Sequence, residues 1–136
     1  MIGINNPMNI RRSSSKWLGQ TGSRKGFCCF EHEKYCFRAV MYLVYTYRVR
    51  YHADRLCDII TRYAPPSENL TYRYIQIVVK RSELPSSCDI DTKGQLFKLI
   101  KAMAFVENNI FVDDNTLLDA FNLLPDNIQK YFFNYE

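Results

Sequence analysis

Leu96-Phe97-Lys98-Leu99-Ile100-Lys101-Ala102-Met103-Ala104-Phe105-Val106-Glu107 is an apolar helical run that closes on an acid. Leu96, Ile100, Met103 and Glu107 recur at the spacing of one helix stripe, so all four side chains point the same way. A carboxylate on a core-facing stripe is costly. Desolvation raises its pKa, and a raised pKa lets a general acid hold its proton near neutral pH. Asn108 and Asn109 follow, and Asn commonly ends helices. The carboxyl is therefore expected at a helix end where a cleft can open, or else turned out to solvent from the last turn.

Working outward, the sequence predicts further helices. One covers Glu33 to Arg50, with Phe37, Val40, Met41, Val44 and Tyr45 or Tyr47 inward. A second covers Ala53 to Tyr63 and is stopped by Ala64-Pro65-Pro66-Ser67. A third, capped by Asn69 or Thr71, runs to about Arg81; its Tyr74-Ile75-Gln76-Ile77-Val78-Val79 segment is also rich in strand formers, so a strand is the alternative there. A loop spans Ser82 to Asp91. Short helices over Asn115–Leu123 and Asp126–Phe133 are separated by Pro125. Residues 1–26, rich in Asn, Ser, Gly, Lys and Arg, read as an irregular arm, and Trp17 within it needs a surface to pack on. The expected organisation is one domain over 1–136, with the arm at 1–26, a helical core at 27–111 and C-terminal helices at 112–136.

A length of 136 residues suits one core. Ten Tyr and nine Phe against one Trp either fill that core or line a cleft for sugar rings. A net charge of +4 favours any polyanion and selects none. Cys28, Cys29, Cys36, Cys57 and Cys88 form an odd set without a C-x-x-C pair; the ligands around Glu31-His32-Glu33 lack a second pair at zinc spacing, so neither a metal nor a cofactor is expected. Met1 to Arg12 has no apolar run, so the expectation is synthesis in the cytoplasm without a signal peptide and no membrane insertion.

Three segments resemble a group of small phage and prophage proteins, variously virion structural proteins or lysozyme-like wall hydrolases. Asn5-Asn6-Pro7-Met8-Asn9-Ile10-Arg11 with Trp17-Leu18-Gly19 is similar to their N-N-P-x-N-I-R arm and W-x-G. Thr46-Tyr47 and then Ile59-Ile60-Thr61-Arg62-Tyr63-Ala64-Pro65-Pro66-Ser67-Glu68-Asn69-Leu70-Thr71-Tyr72-Arg73-Tyr74-Ile75 resemble their central motif, I-I-x-R-W-A-P-P-S-E-N-x-T-x-x-Y-I. Ala102 to Asn108 resembles their A-x-x-x-x-E-N-G. More distantly, the Glu107 and Glu68–Ile75 segments, with the Asn-rich arm, look like parts of lytic transglycosylases and glucosaminidases in a different chain order. The chain departs from the group at Ile4, Met8, Tyr63, Leu70 and Asn109; at 8 and 109 the group has Gly, which tolerates positive φ.

The resemblance implies a mainly α, compact lysozyme-like helical domain with an irregular N-terminal arm, circularly permuted if both likenesses hold. Permutation is tolerated where termini lie close together at the surface. It further implies cleavage of peptidoglycan glycan strands, of lysozyme or lytic transglycosylase type, with Glu107 as general acid. Glu68 and Tyr74 join it as catalytic candidates, and Asn5, Asn6, Asn9, Trp17, Asn69 and Asn108 would bind substrate. The substrate's acetamido group would stabilise the anomeric centre, the exception to the two-carboxylate scheme. Asp113 and Asp114 are second-carboxyl candidates by proximity to Glu107 in sequence. Other readings stay open beside these: Glu68 as a helix-capping carboxylate, Tyr74 as a core tyrosine, and Glu31, His32 and Glu33 as a solvated helix start. The protein would act on the wall after release, or as a virion component. The alternative is a non-catalytic virion structural or interaction protein of the same shape, partnered by other virion proteins. A third is nucleic-acid binding through Arg11, Arg12, Lys16, Arg24 and Lys25, which has neither a recognition helix nor a stacking motif.

Overall fold

The computed structural model describes residues 1–133. Its elements run β1 (Gln20–Arg24), β2 (Phe27–Phe30), α1 (Glu33–Tyr51), α2 (Leu56–Tyr63), α3 (Thr71–Ser82), α4 (Lys93–Asn108), α5 (Asp114–Asn122) and α6 (Asp126–Tyr131). The architecture is α+β, which corrects the expectation of a mainly α, lysozyme-like helical domain. An antiparallel hairpin sits where the sequence reading puts the end of an irregular arm and the start of a helical core.

Local chemistry explains the hairpin. Lys25 (φ 51°) and Gly26 (φ 83°) take the two left-handed positions of a tight turn whose twist matches that of paired strands. Cys28, Cys29 and Phe30 of β2 are buried, and β1 covers one edge of that strand. The arm covers the other edge: Cys28 N–H donates to Ile10 O at 2.9 Å, Phe30 N–H to Ile4 O at 2.8 Å, and Arg12 N–H to Gly26 O at 2.8 Å. Residues 3–12 thus have a defined path along β2. Lys-Gly is a weaker hairpin signal than Asn-Gly, and a four-residue Phe-Cys-Cys-Phe strand shows no alternation, which is why composition alone reads this region as irregular.

The helices lie close to their expected places. On α1 the stripe Phe37, Val40, Met41 and Val44 is buried, and on α2 Leu56, Ile59 and Ile60. The α2 helix begins at Leu56, later than its expected start at Ala53. The Tyr74–Val79 stretch is helical, with Tyr74 and Val78 facing the core. Neither expected cap of α3 works as one: Leu70 is the N-cap residue, Thr71 Oγ1 donates to Ala64 O, and Asn69 Nδ2 donates to Pro65 O. The expected C-terminal segment 112–136 extends past the described residues at 134–136.

The α4 helix is the packed centre. Leu96, Leu99, Ile100, Ala102, Met103 and Ala104 are buried, and α3 lies against it while α5 lies against α1. It starts at a capping box: Thr92 Oγ1 accepts from Gln95 N–H, while Gln95 Oε1 accepts from Thr92 N–H at 3.1 Å. It stops at Asn109, in the left-handed conformation (φ 56°), with its N–H on Phe105 O at 2.8 Å. Asn thus serves where the resemblance leads one to expect Gly. Met8, at the other Gly position, is fully buried and has no positive φ. Thr92→Ala removes one half of the box and is expected to cost about 1 kcal/mol, read as a lower urea midpoint with an unchanged slope.

Candidate functional site

The stripe of α4 that begins with Leu96 and Ile100 ends at Glu107, and the N-terminal arm crosses that end. Asn9 takes a left-handed conformation (φ 53°) there and turns its amide onto the acid. Asn9 Nδ2 donates to Glu107 Oε1 at 2.9 Å and Tyr74 OH donates to Oε2 at 2.8 Å, so each carboxyl oxygen accepts one bond. Asn108 Nδ2 donates to Asn9 Oδ1 at 3.0 Å and to Pro7 O at 2.8 Å, fixing the amide that fixes the acid. Below them Tyr63 OH donates to Met8 O at 2.6 Å, tying the arm to the end of α2.

Burial pushes the Glu107 carboxyl above the ordinary glutamate range, although the bonds from Asn9 and Tyr74 and the charge of Arg11 pull the other way. Loss of water thus outweighs two donors and a cation. Tyr74 lies well above the usual tyrosine range, because of burial first and the adjacent Glu107 second, so its hydroxyl stays a donor. The acid opens onto a groove of about 360 Å³ whose walls include Arg11, Trp17, Phe27, Tyr47, Tyr63 and Glu68.

The sequence candidates separate into three sets. Glu107, Asn9, Trp17, Glu68 and Asn69 line the groove. Tyr74 and Asn108 stand behind the lining and hold Glu107 and Asn9. Asn5 and Asn6 do neither. Asn5 Nδ2 bonds Phe30 O and Glu31 O, and Asn6 is fully buried with its amide satisfied by Ile10, Cys28 and Cys36. Both stitch the arm to β2. Asp113 caps α5 through Thr116 N–H and Asp114 pairs with Lys101, so these two carboxyls serve other structure. His32 caps α1, its Nδ1 accepting from Lys34 N–H at 3.0 Å.

Sequence reasoning overlooked Arg11, Tyr47, Tyr63 and Phe27 as groove residues. Arg11 belongs to the basic arm, and its guanidinium lies 5.1 Å from the Phe27 ring centre. The signal for Tyr47 and Tyr63 was their place inside the motifs that flank Glu68. Gly19 of the Trp-Leu-Gly triplet has φ +78°, and a Cβ there would fall 2.2 Å from the Tyr35 ring, so the close approach requires glycine.

All five cysteines are free thiols, and among the described residues no group of three or more His, Cys, Asp or Glu is placed to hold a metal ion. Among them, too, no helix is long and apolar enough to cross a membrane. No protein-family model matches the chain. A curated relative does: Protein P5 of Pseudoalteromonas phage PM2 is 30% identical over 109 residues, which cover 76% of this chain and 68% of that protein. The site just described therefore sits in a relative of a phage protein, and the chain belongs to the family of Protein P5.

Proposed function

We propose that this protein cleaves the glycan strand of peptidoglycan, with Glu107 as the general acid. The observation that carries the reading is one half-buried carboxyl at the wall of an aromatic-lined groove, its pKa raised by burial and its two oxygens oriented by Asn9 and Tyr74. A raised pKa favours the protonated form, which can deliver its proton to a glycosidic oxygen, and the resulting carboxylate is stabilised by two donors already in place. The ring faces of Trp17, Tyr47 and Tyr63 suit the apolar faces of sugars. The groove provides one such acid, with Glu68 exposed at its rim. Stabilisation of the anomeric centre then falls to the substrate's own acetamido group. The place of action is the cell wall, reached by release or as part of a virion.

Purified sacculi incubated with the protein should lose turbidity, and mass analysis of the released muropeptides then identifies the bond cut. An anhydro product, a reducing muramic acid and a reducing glucosamine each mark a different reaction. Absence of cleavage on walls from several bacteria would overturn the enzymatic reading. It would favour a non-catalytic virion component, a reading that membership in the family of a phage protein also accommodates.

Tyr74→Phe deletes one hydrogen bond and keeps the ring packed. Activity is expected to fall by about tenfold or somewhat more, the value of one bond to a charged group. Loss of a donor to the carboxylate also raises the Glu107 pKa further, so the alkaline limb of the pH–rate profile should move to higher pH. An unchanged limb would separate Tyr74 from the acid's protonation.

A further inference from the structure

The α1 helix has a second stripe that is only partly covered by the core. Arg38, Tyr42, Tyr45 and Val49 recur at helical spacing on the side away from Phe37, Val40 and Val44, and Arg50 lies beside them. With Lys16 and Trp17 from the arm they wall a groove of about 700 Å³, and Ser13, Trp17 and Leu43 belong both to it and to the groove of Glu107. The two grooves are therefore neighbours that share these three residues as walls. Along the second one the rings step from Trp17 to Tyr42 (5.9 Å between centres) and on to Tyr45 (6.5 Å).

Its charge is of one sign. Lys16, Arg38 and Arg50 line it, no Asp or Glu does, and none of the three forms an ion pair among the described residues. Arg38 is the telling member. It is half-buried, its Nε donates to Leu123 O at 3.1 Å, and its guanidinium lies 5.6 Å from the Tyr42 ring centre, so it is held in place without a counter-charge. A fixed guanidinium without a counter-charge suits a carboxylate in bidentate geometry.

We propose that this groove continues the strand-binding site and takes the carboxylate-bearing peptide substituents of the same glycan strand. The inference rests on the reading of the Glu107 groove as a glycan site. Sugar rings lie over the Trp17–Tyr42–Tyr45 steps while free carboxylates of the peptide stems meet Lys16, Arg38 and Arg50. Adjacency to the groove of the acid favours this ligand over a nucleic acid, whose phosphates would need no neighbouring proton donor.

Trp17 is the one tryptophan of the chain, so its fluorescence reports binding directly. The probes are soluble glycan strands with peptide stems intact, the same strands stripped of stems, and a single-stranded oligonucleotide. The full chain carrying Glu107→Gln prevents turnover, with and without the added pair Lys16→Ala and Arg50→Ala. Stem-bearing strands should bind about tenfold more tightly than stripped ones at low salt, and the added pair should narrow the difference, with Arg38 keeping the remainder. Equal affinity for both strands, unaltered by the pair, overturns the proposal and leaves the glycan site standing. No binding of either strand overturns both. Oligonucleotide binding tighter than that of the stem-bearing strand, and lost in the pair, assigns the groove to nucleic acid instead.

Discussion

Glu107→Gln is expected to lower wall-cleaving activity by at least about 100-fold, the usual loss when a positioned general acid is removed. The exchange is close to isosteric: the Gln carbonyl can face Asn9 Nδ2, and the Gln amide can donate to Tyr74 OH, which turns to accept and gives up only its own acceptor. The fold should therefore survive it. Stability gives an independent check with a defined sign. Burial raises the native pKa of Glu107 above its unfolded value, so the native state holds the extra proton between those two values. The stability linked to that proton is complete below the unfolded pKa and is lost as pH rises through the native one. Wild type should accordingly lose thermal stability relative to Glu107→Gln as the pH climbs from acid to neutral, and the two should converge in acid. Full activity in the folded variant would take Glu107 out of the chemistry. Wild-type and variant melting curves that stay parallel across pH would show that the carboxyl does not pay a burial penalty.

Asn6→Ala is expected to cost about 3 kcal/mol of folding stability, the largest loss anticipated for a polar residue here. The Asn6 side chain is fully buried. Its Nδ2 donates to Ile10 O and Cys28 O, both at 2.9 Å, and its Oδ1 accepts from Ile10 N–H at 2.9 Å and from the Cys36 thiol at 3.2 Å. Alanine leaves Ile10 N–H without its partner and withdraws a donor from two buried carbonyls, with no space for side chains to replace it. Asn6→Asp is the sharper variant: it keeps the acceptor for Ile10 and sets a second oxygen against two carbonyl oxygens, so it should be at least as damaging. Urea unfolding measures both. The arm that Asn6 anchors carries Asn9, so activity should fall with stability and recover at lower temperature where the arm redocks. Near wild-type stability in Asn6→Ala would mean that β2 and the arm are held together by their backbone bonds alone.

Most helices were legible because their burial is periodic within a local window. Leu96, Ile100 and Met103 on α4, and Phe37, Val40, Met41 and Val44 on α1, carry the 3.6-residue repeat in the chain itself. The hairpin was not legible. Phe27 to Phe30 is too short to show alternation, and half of what makes it a strand comes from the arm along its far edge. That pairing joins residues about twenty positions apart, which no local pattern encodes. The α+β architecture was therefore missed while the helical count was close.

The candidate site divides along the same line. Sequence by itself determined that Glu107 ends a core-facing stripe, because position on a helix follows from spacing. Tertiary structure alone decided what meets that carboxyl. The near-identical neighbours Asn5, Asn6 and Asn9 carry the same amide, yet Asn5 bonds β2, Asn6 is buried in the seam and Asn9 reaches Glu107 across ninety-eight positions of chain. Their roles differ through backbone direction, with Asn5 and Asn9 in the left-handed region and Asn6 outside it. Which way each amide points is fixed by how the arm docks on β2, a long-range pairing whose free energy is spread over both segments and written in neither.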